Sequence, residues 1–177
     1  MGYDEIRDVE VWDGQVRTQV LVGGQGPPLL YLHPVLGLQW DPFLDSLARH
    51  HTVYAPYLPG TVPGDPDAHK AIEDVWDLTL CYYEILDALG IGGEPVAVVG
   101  HSLGGMMAAA LAASEPERVS KLILLCPIGL WVDGRPFQIF KRSIRRNINR
   151  RLATHSTIRT AISNTRFGRR RDEMQHG

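Results

Sequence analysis

The stretch Gly100-His101-Ser102-Leu103-Gly104-Gly105 constrains this chain more than any other. It follows a short Val/Ala run at 96–99 and opens an Ala-rich segment, Leu103–Ser114, so strand, sharp turn and helix must succeed one another without a longer loop. Within it lies G-x-S-x-G, the strand-to-helix turn on which a serine is exposed above a sheet. A serine at such an apex occupies a strained backbone conformation. Side chains two residues before or after it would strike the neighbouring strand and helix, which is why glycine stands there. The turn also sets the N–H of Leu103 at a helix N-terminus, where a free donor and the helix dipole favour a developing oxyanion. The chemistry predicted is nucleophilic attack by Ser102 with Leu103 as one oxyanion donor.

The rest of the chain predicts a sheet to carry that turn. Residues 9–12 and 16–22 are β-prone and flank Asp13-Gly14, a tight-turn dipeptide, so an antiparallel hairpin opens the chain. Continuous apolar runs at 29–32 and 52–55 read as strands buried on both faces, with a helix at 42–49 between them. At 71–89, Val75, Leu78, Tyr82, Ile85, Leu86 and Leu89 recur three or four apart along one helical stripe, which Gly90 ends. A last apolar run, Val119–Leu125, follows the Ala-rich helix. Six strands alternating with helices give the α/β class, with a mostly parallel sheet and flanking helices. The 177 residues, 44% hydrophobic and 21% charged, fit one globular domain and exclude collagen, coiled coil and wholesale disorder.

Several function classes are disfavoured. Cys81 and Cys126 form no CxxC and no Cys/His cluster, which argues against a disulfide scaffold or zinc site. No site for Mg²⁺, flavin or nicotinamide is visible, and the glycine-rich turn lacks the lysine of a phosphate-binding loop, so no cofactor is expected. The first residues are acidic and no apolar run reaches the roughly 20 residues of a membrane span, so a cytoplasmic protein is expected.

With the G-x-S-x-G turn in this context, the chain resembles the α/β-hydrolase family. Tyr31-Leu32-His33-Pro34-Val35-Leu36-Gly37 is similar to the family's oxyanion loop after its third strand, which implies Val35 as the second oxyanion donor and His33 as a brace of that loop. Tyr57-Leu58-Pro59-Gly60-Thr61 resembles the loop after the fourth strand, and Glu115-Pro116-Glu117-Arg118-Val119 the turn before the sixth. His101, Met106 and Met107 read as packing residues around the turn. The resemblance implies a serine hydrolase taking a small-molecule acyl substrate, carboxylic esters first. Serine at the turn argues against the family's dehalogenases and epoxide hydrolases, which use aspartate.

The resemblance covers roughly residues 7–135. In the family the triad runs Ser, then Asp or Glu, then His, the acid usually following a seventh strand and the histidine an eighth. Only six strands are legible here, so the chain reads as a hydrolase truncated after the sixth, a partial or frame-disrupted product with impaired activity. Asp133 stands where a minority of relatives place the acid, and His155 and His176 are the histidines after the turn. Asp133 and His155 are accordingly the candidate acid and base.

The net charge of −2 divides into −11 over residues 1–140 and +9 over 141–177. Residues 1–135 thus form the partial hydrolase domain and 136–177 a basic helical or disordered tail in place of the last strands. Phe140, Ile144, Ile148 and Leu152, spaced by four among arginines, describe a basic amphipathic helix, which offers an alternative function: a non-catalytic module binding nucleic acid or an anionic membrane. Without a seventh strand, Val119–Leu125 becomes an unpaired apolar edge through which copies could self-associate.

Overall fold

The computed structural model describes residues 2–61 and 65–130. Six strands, β1 (Glu5–Val11), β2 (Val16–Gly23), β3 (Pro28–Leu32), β4 (Thr52–Pro56), β5 (Val96–His101) and β6 (Val119–Leu125), form one sheet in the order β1-β2-β4-β3-β5-β6. β2 pairs antiparallel with both β1 and β4, and every pairing from β4 through β3 and β5 to β6 is parallel. With helices α1 (Pro42–Ala48), α2 (Val75–Ala88) and α3 (Leu103–Ser114), this is the α/β architecture the sequence pattern predicts.

Parallel strands bury both faces, and β3 shows why its run is uniformly apolar. Leu30 and Leu32 turn toward Tyr82, Ile85 and Leu86 of α2 and Met107 and Leu111 of α3, whereas Leu29 and Tyr31 turn toward Leu44 of α1, with Val53, Ala55 and Val99. The sheet is thereby sandwiched between two apolar layers. α1 starts where Asp41, in extended backbone, accepts the N–H groups of Phe43 and Leu44, each at 3.0 Å.

Two predicted boundaries are displaced. The helix expected over 71–89 begins at Val75, because the side chain of Asp74 caps it by accepting from Trp76 at 2.8 Å and Asp77 at 3.0 Å; Ala68–Ala71 form a separate 3₁₀ turn. The opening hairpin does not turn on Asp13-Gly14 alone. Val11 pairs with Val16, and Trp12 and Asp13 are left-handed at φ 54° and 52°, with Gly14 at 81°. Glu84 of α2 accepts the Trp12 N–H at 2.9 Å while Trp12 packs on the core, so a long-range contact overrides the local preference.

β6 is the outermost strand among the described residues, and its Leu122 and Ile123 are 39% and 48% exposed. The tail, and with it the expected boundary at residue 135 and the amphipathic helix, lies outside the described residues. Among those described, no helix is long and apolar enough to cross a membrane.

Candidate active site

Parallel strands deliver their carboxyl ends to one side. Leu32 of β3 is level with Gly100 of β5, and His101 of β5 with Leu125 of β6, so the segments that follow these strands share one edge of the sheet, the usual ligand-binding edge of α/β folds.

Ser102 joins β5 to α3 with φ 56° and ψ −110°, a conformation that costs a non-glycine residue about 1–3 kcal/mol and persists only where its surroundings hold it. Those surroundings are visible. Its N–H donates to the Leu125 carbonyl at 2.9 Å, and its own carbonyl accepts from Gly105 at 3.0 Å, Ile128 at 3.1 Å and Met106 at 3.2 Å. The side chain makes no hydrogen bond to cap α3, unlike those of Asp41 and Asp74, so the hydroxyl is not spent on the helix. The N–H of Leu103, ahead of the first bonded donors, has no carbonyl within its own turn.

The glycines are required by contact. A β-carbon on Gly100 would run into the Gly104 carbonyl and stand 2.7 Å from Cβ of Ala108; one on Gly104 would overlap the Leu32 carbonyl; one on Gly105 would lie 2.8 Å from Cβ of Pro127. The Gly104 contact carries a further consequence. It seats the first turn of α3 directly on the end of β3, and so brings the segment after β3 beside Ser102.

That segment is a tight turn closed by the Gly37 N–H on the Pro34 carbonyl at 3.0 Å, with Val35 in it and Gly37 at φ 110°. His33 anchors it. Nδ1 lies 2.7 Å from the Pro34 carbonyl, which can only accept, so Nδ1 carries the proton; the bare Nε2 then accepts the N–H of Leu58 at 2.9 Å. Burial pushes the His33 pKa down to about 4, against the opposing pull of the Pro34 hydrogen bond. A neutral ring with both nitrogens engaged braces the turn and is unavailable as a base.

The fold therefore places Ser102, Leu103 and the turn bearing Val35 along the same sheet edge. Asp133 and His155 lie outside the described residues. Sequence reasoning did not single out Thr18, which together with His33 holds the segment after β4 in place through the Tyr57 carbonyl and the Leu58 N–H. The signal for Thr18 was present, a hydroxyl amino acid at an inward position of β2 between Val16 and Val20.

The family profile described as alpha/beta hydrolase fold matches residues 27–168, beyond the last of the motifs noted above. The chain is similar to 2-hydroxymuconate semialdehyde hydrolase of Pseudomonas sp. strain CF600, 33% identical over 131 residues, 68% of this chain and 44% of that protein. It is also similar to the pimeloyl-[acyl-carrier protein] methyl ester esterase of Vibrio campbellii, 33% identical over 118 residues, 65% of this chain and 42% of that protein. Among solved structures, one described as a probable hydrolytic enzyme of Pseudomonas aeruginosa PAO1 superposes with a TM-score of 0.64 at 26% identity, covering 83% of this chain and 50% of that one. The chain spans less than half the length of the curated relatives it matches. By its sheet, its strand-to-helix turn and this match, the chain belongs to the α/β-hydrolase fold family.

Proposed function

We propose that this chain carries the nucleophilic half of a serine hydrolase acting on carboxylic esters or related small acyl compounds. The observation that supports it most is the backbone of Ser102, strained at φ 56° on the carboxyl edge with its hydroxyl left out of helix capping. Relatives named as an ester esterase and a hydrolase agree in reaction class.

In this reading Oγ of Ser102 bonds to the substrate carbonyl carbon, the carbonyl oxygen takes the negative charge, and the N–H groups of Leu103 and Val35 hold it. Collapse breaks the ester C–O bond, and the serine proton passes through a base to the departing alcohol. Water then cleaves the acyl-serine by the reverse proton path. For base and acid the chain offers His155 and Asp133. Lacking them, an oxyanion hole and binding alone leave about 10³–10⁴-fold rate enhancement over water.

Covalent labelling by a fluorophosphonate, mapped by mass spectrometry, tests the reading. The expected result is modification at Ser102, abolished in Ser102→Ala. Folded wild-type chain that stays unmodified would overturn it.

A further inference from the structure

Three polar residues are buried among those described, Thr18, His33 and Thr79. Thr79 bonds its own helix, to the Val75 carbonyl at 2.7 Å. The other two, Thr18 in β2 and His33 just after β3, converge on a single peptide group.

The ladder between β2 and β4 ends at Val20 opposite Pro56. Beyond it the Tyr57 N–H donates to the Gln19 carbonyl at 2.9 Å, and the Tyr57 carbonyl accepts the hydroxyl of Thr18 at 2.8 Å. The N–H of that same peptide group, belonging to Leu58, donates to Nε2 of His33 at 2.9 Å. Nδ1 of His33 continues to the Pro34 carbonyl, which also takes the Gly37 N–H. One planar peptide is thus clamped from both sides, by a hydroxyl on its oxygen and an imidazole on its nitrogen. Rotating it breaks both bonds, and each bond polarises the other.

The strand itself does not need this hydroxyl. Val16, Val20 and Val22 occupy the same inward row, and valine matches threonine in shape while favouring strands at least as well. What the hydroxyl supplies is a donor for the Tyr57 carbonyl, which would otherwise be left without this partner.

We propose that Thr18 is a positioning residue for the turn at 34–37: by fixing the peptide between Tyr57 and Leu58 it keeps the Leu58 N–H on Nε2 of His33 and so aims the turn beside Ser102. The consequence for catalysis rests on the serine-hydrolase reading; the hydrogen-bond chain does not.

The experiment compares wild type, Thr18→Val and Thr18→Ser in the full chain, with two readouts. In nitrogen NMR of the His33 ring, wild type and Thr18→Ser should show Nδ1 protonated, Nε2 bare, and a coupling across the hydrogen bond to the Leu58 amide; Thr18→Val should lose the coupling and shift the Nε2 resonance. Fluorophosphonate labelling of Ser102 should slow roughly tenfold in Thr18→Val, within the range for a small misplacement of catalytic groups, and stay near wild type in Thr18→Ser. A folded Thr18→Val with an unchanged His33 spectrum overturns the proposal, and so does a wild type without the coupling. If wild type is not labelled, the hydrolase reading fails while the spectra still decide the role of Thr18. Should Thr18→Val not fold, Thr18→Ala, which also cannot donate and adds no bulk, replaces it under the same criteria.

Discussion

Gly104 lies against the carbonyl of Leu32 so closely that no β-carbon fits between them, and this contact locks the first turn of α3 onto the end of β3. The atom in the way is backbone in the middle of a parallel sheet, which cannot swing aside. Gly104→Ala should therefore cost at least about 2 kcal/mol, at the upper part of the overpacking range, and shift the turn bearing Val35. Urea denaturation reads the first effect. A cost under 0.5 kcal/mol, on the scale of ordinary surface substitutions, would mean that the two segments separate readily.

Ser102 should trade stability for position. Its left-handed φ with ψ at −110° is tolerated by glycine, so Ser102→Gly is expected to raise stability by about 1 kcal/mol while eliminating fluorophosphonate labelling. Ser102→Ala, which keeps the strain, should not gain. A stability equal to that of Ser102→Ala would show that the conformation costs nothing here.

The buried, neutral His33 predicts an acid-side loss of stability. Its folded pKa, about 4, lies below the unfolded value of 6.5, so between these pH values the unfolded chain takes up a proton that the folded one refuses. The contribution is complete above pH 6.5 and declines as the pH falls toward 4, by about 3 kcal/mol in all. Denaturation midpoints measured at pH 7 and pH 4.5 should differ less in His33→Asn, which has no such proton to bind. Equal slopes for the two proteins would contradict the assignment.

Leu122 and Ile123 are exposed on β6, an outermost strand among the described residues. Sedimentation velocity should show mass increasing with protein concentration, and Ile123→Lys, which places a charge on that strand, should suppress the increase. A concentration-independent monomer in both proteins would remove the edge as a self-association surface.

What could be read in the sequence was what short-range patterns encode. The strand at 29–32 follows from its unbroken apolar run, and α3 with its serine turn from glycines whose spacing has a steric cause. The pattern starts α2 four residues early, since Ala71 and Ile72 are apolar enough to extend its stripe, and only the carboxylate of Asp74 shows where the backbone turns helical. The left-handed Trp12 could not be foreseen, because Glu84, which holds it, is remote in sequence. His33 as a brace is implied by the family resemblance, but its partners are hidden for the same reason. Thr18, His33 and Leu58 meet only after β2, β3 and β4 have paired.

The strand order bears on how the chain is made. β3 lies between β4 and β5, and β5 starts only at Val96, long after β4 ends at Pro56. At about 5–20 residues per second of synthesis, Leu29, Leu30 and Tyr31 wait several seconds on the ribosome with one side of their strand open. Through that interval the nascent chain presents a sticky half-sheet to whatever is nearby, and β5, which pairs along that side and leads into the Ser102 turn, is what ends the exposure.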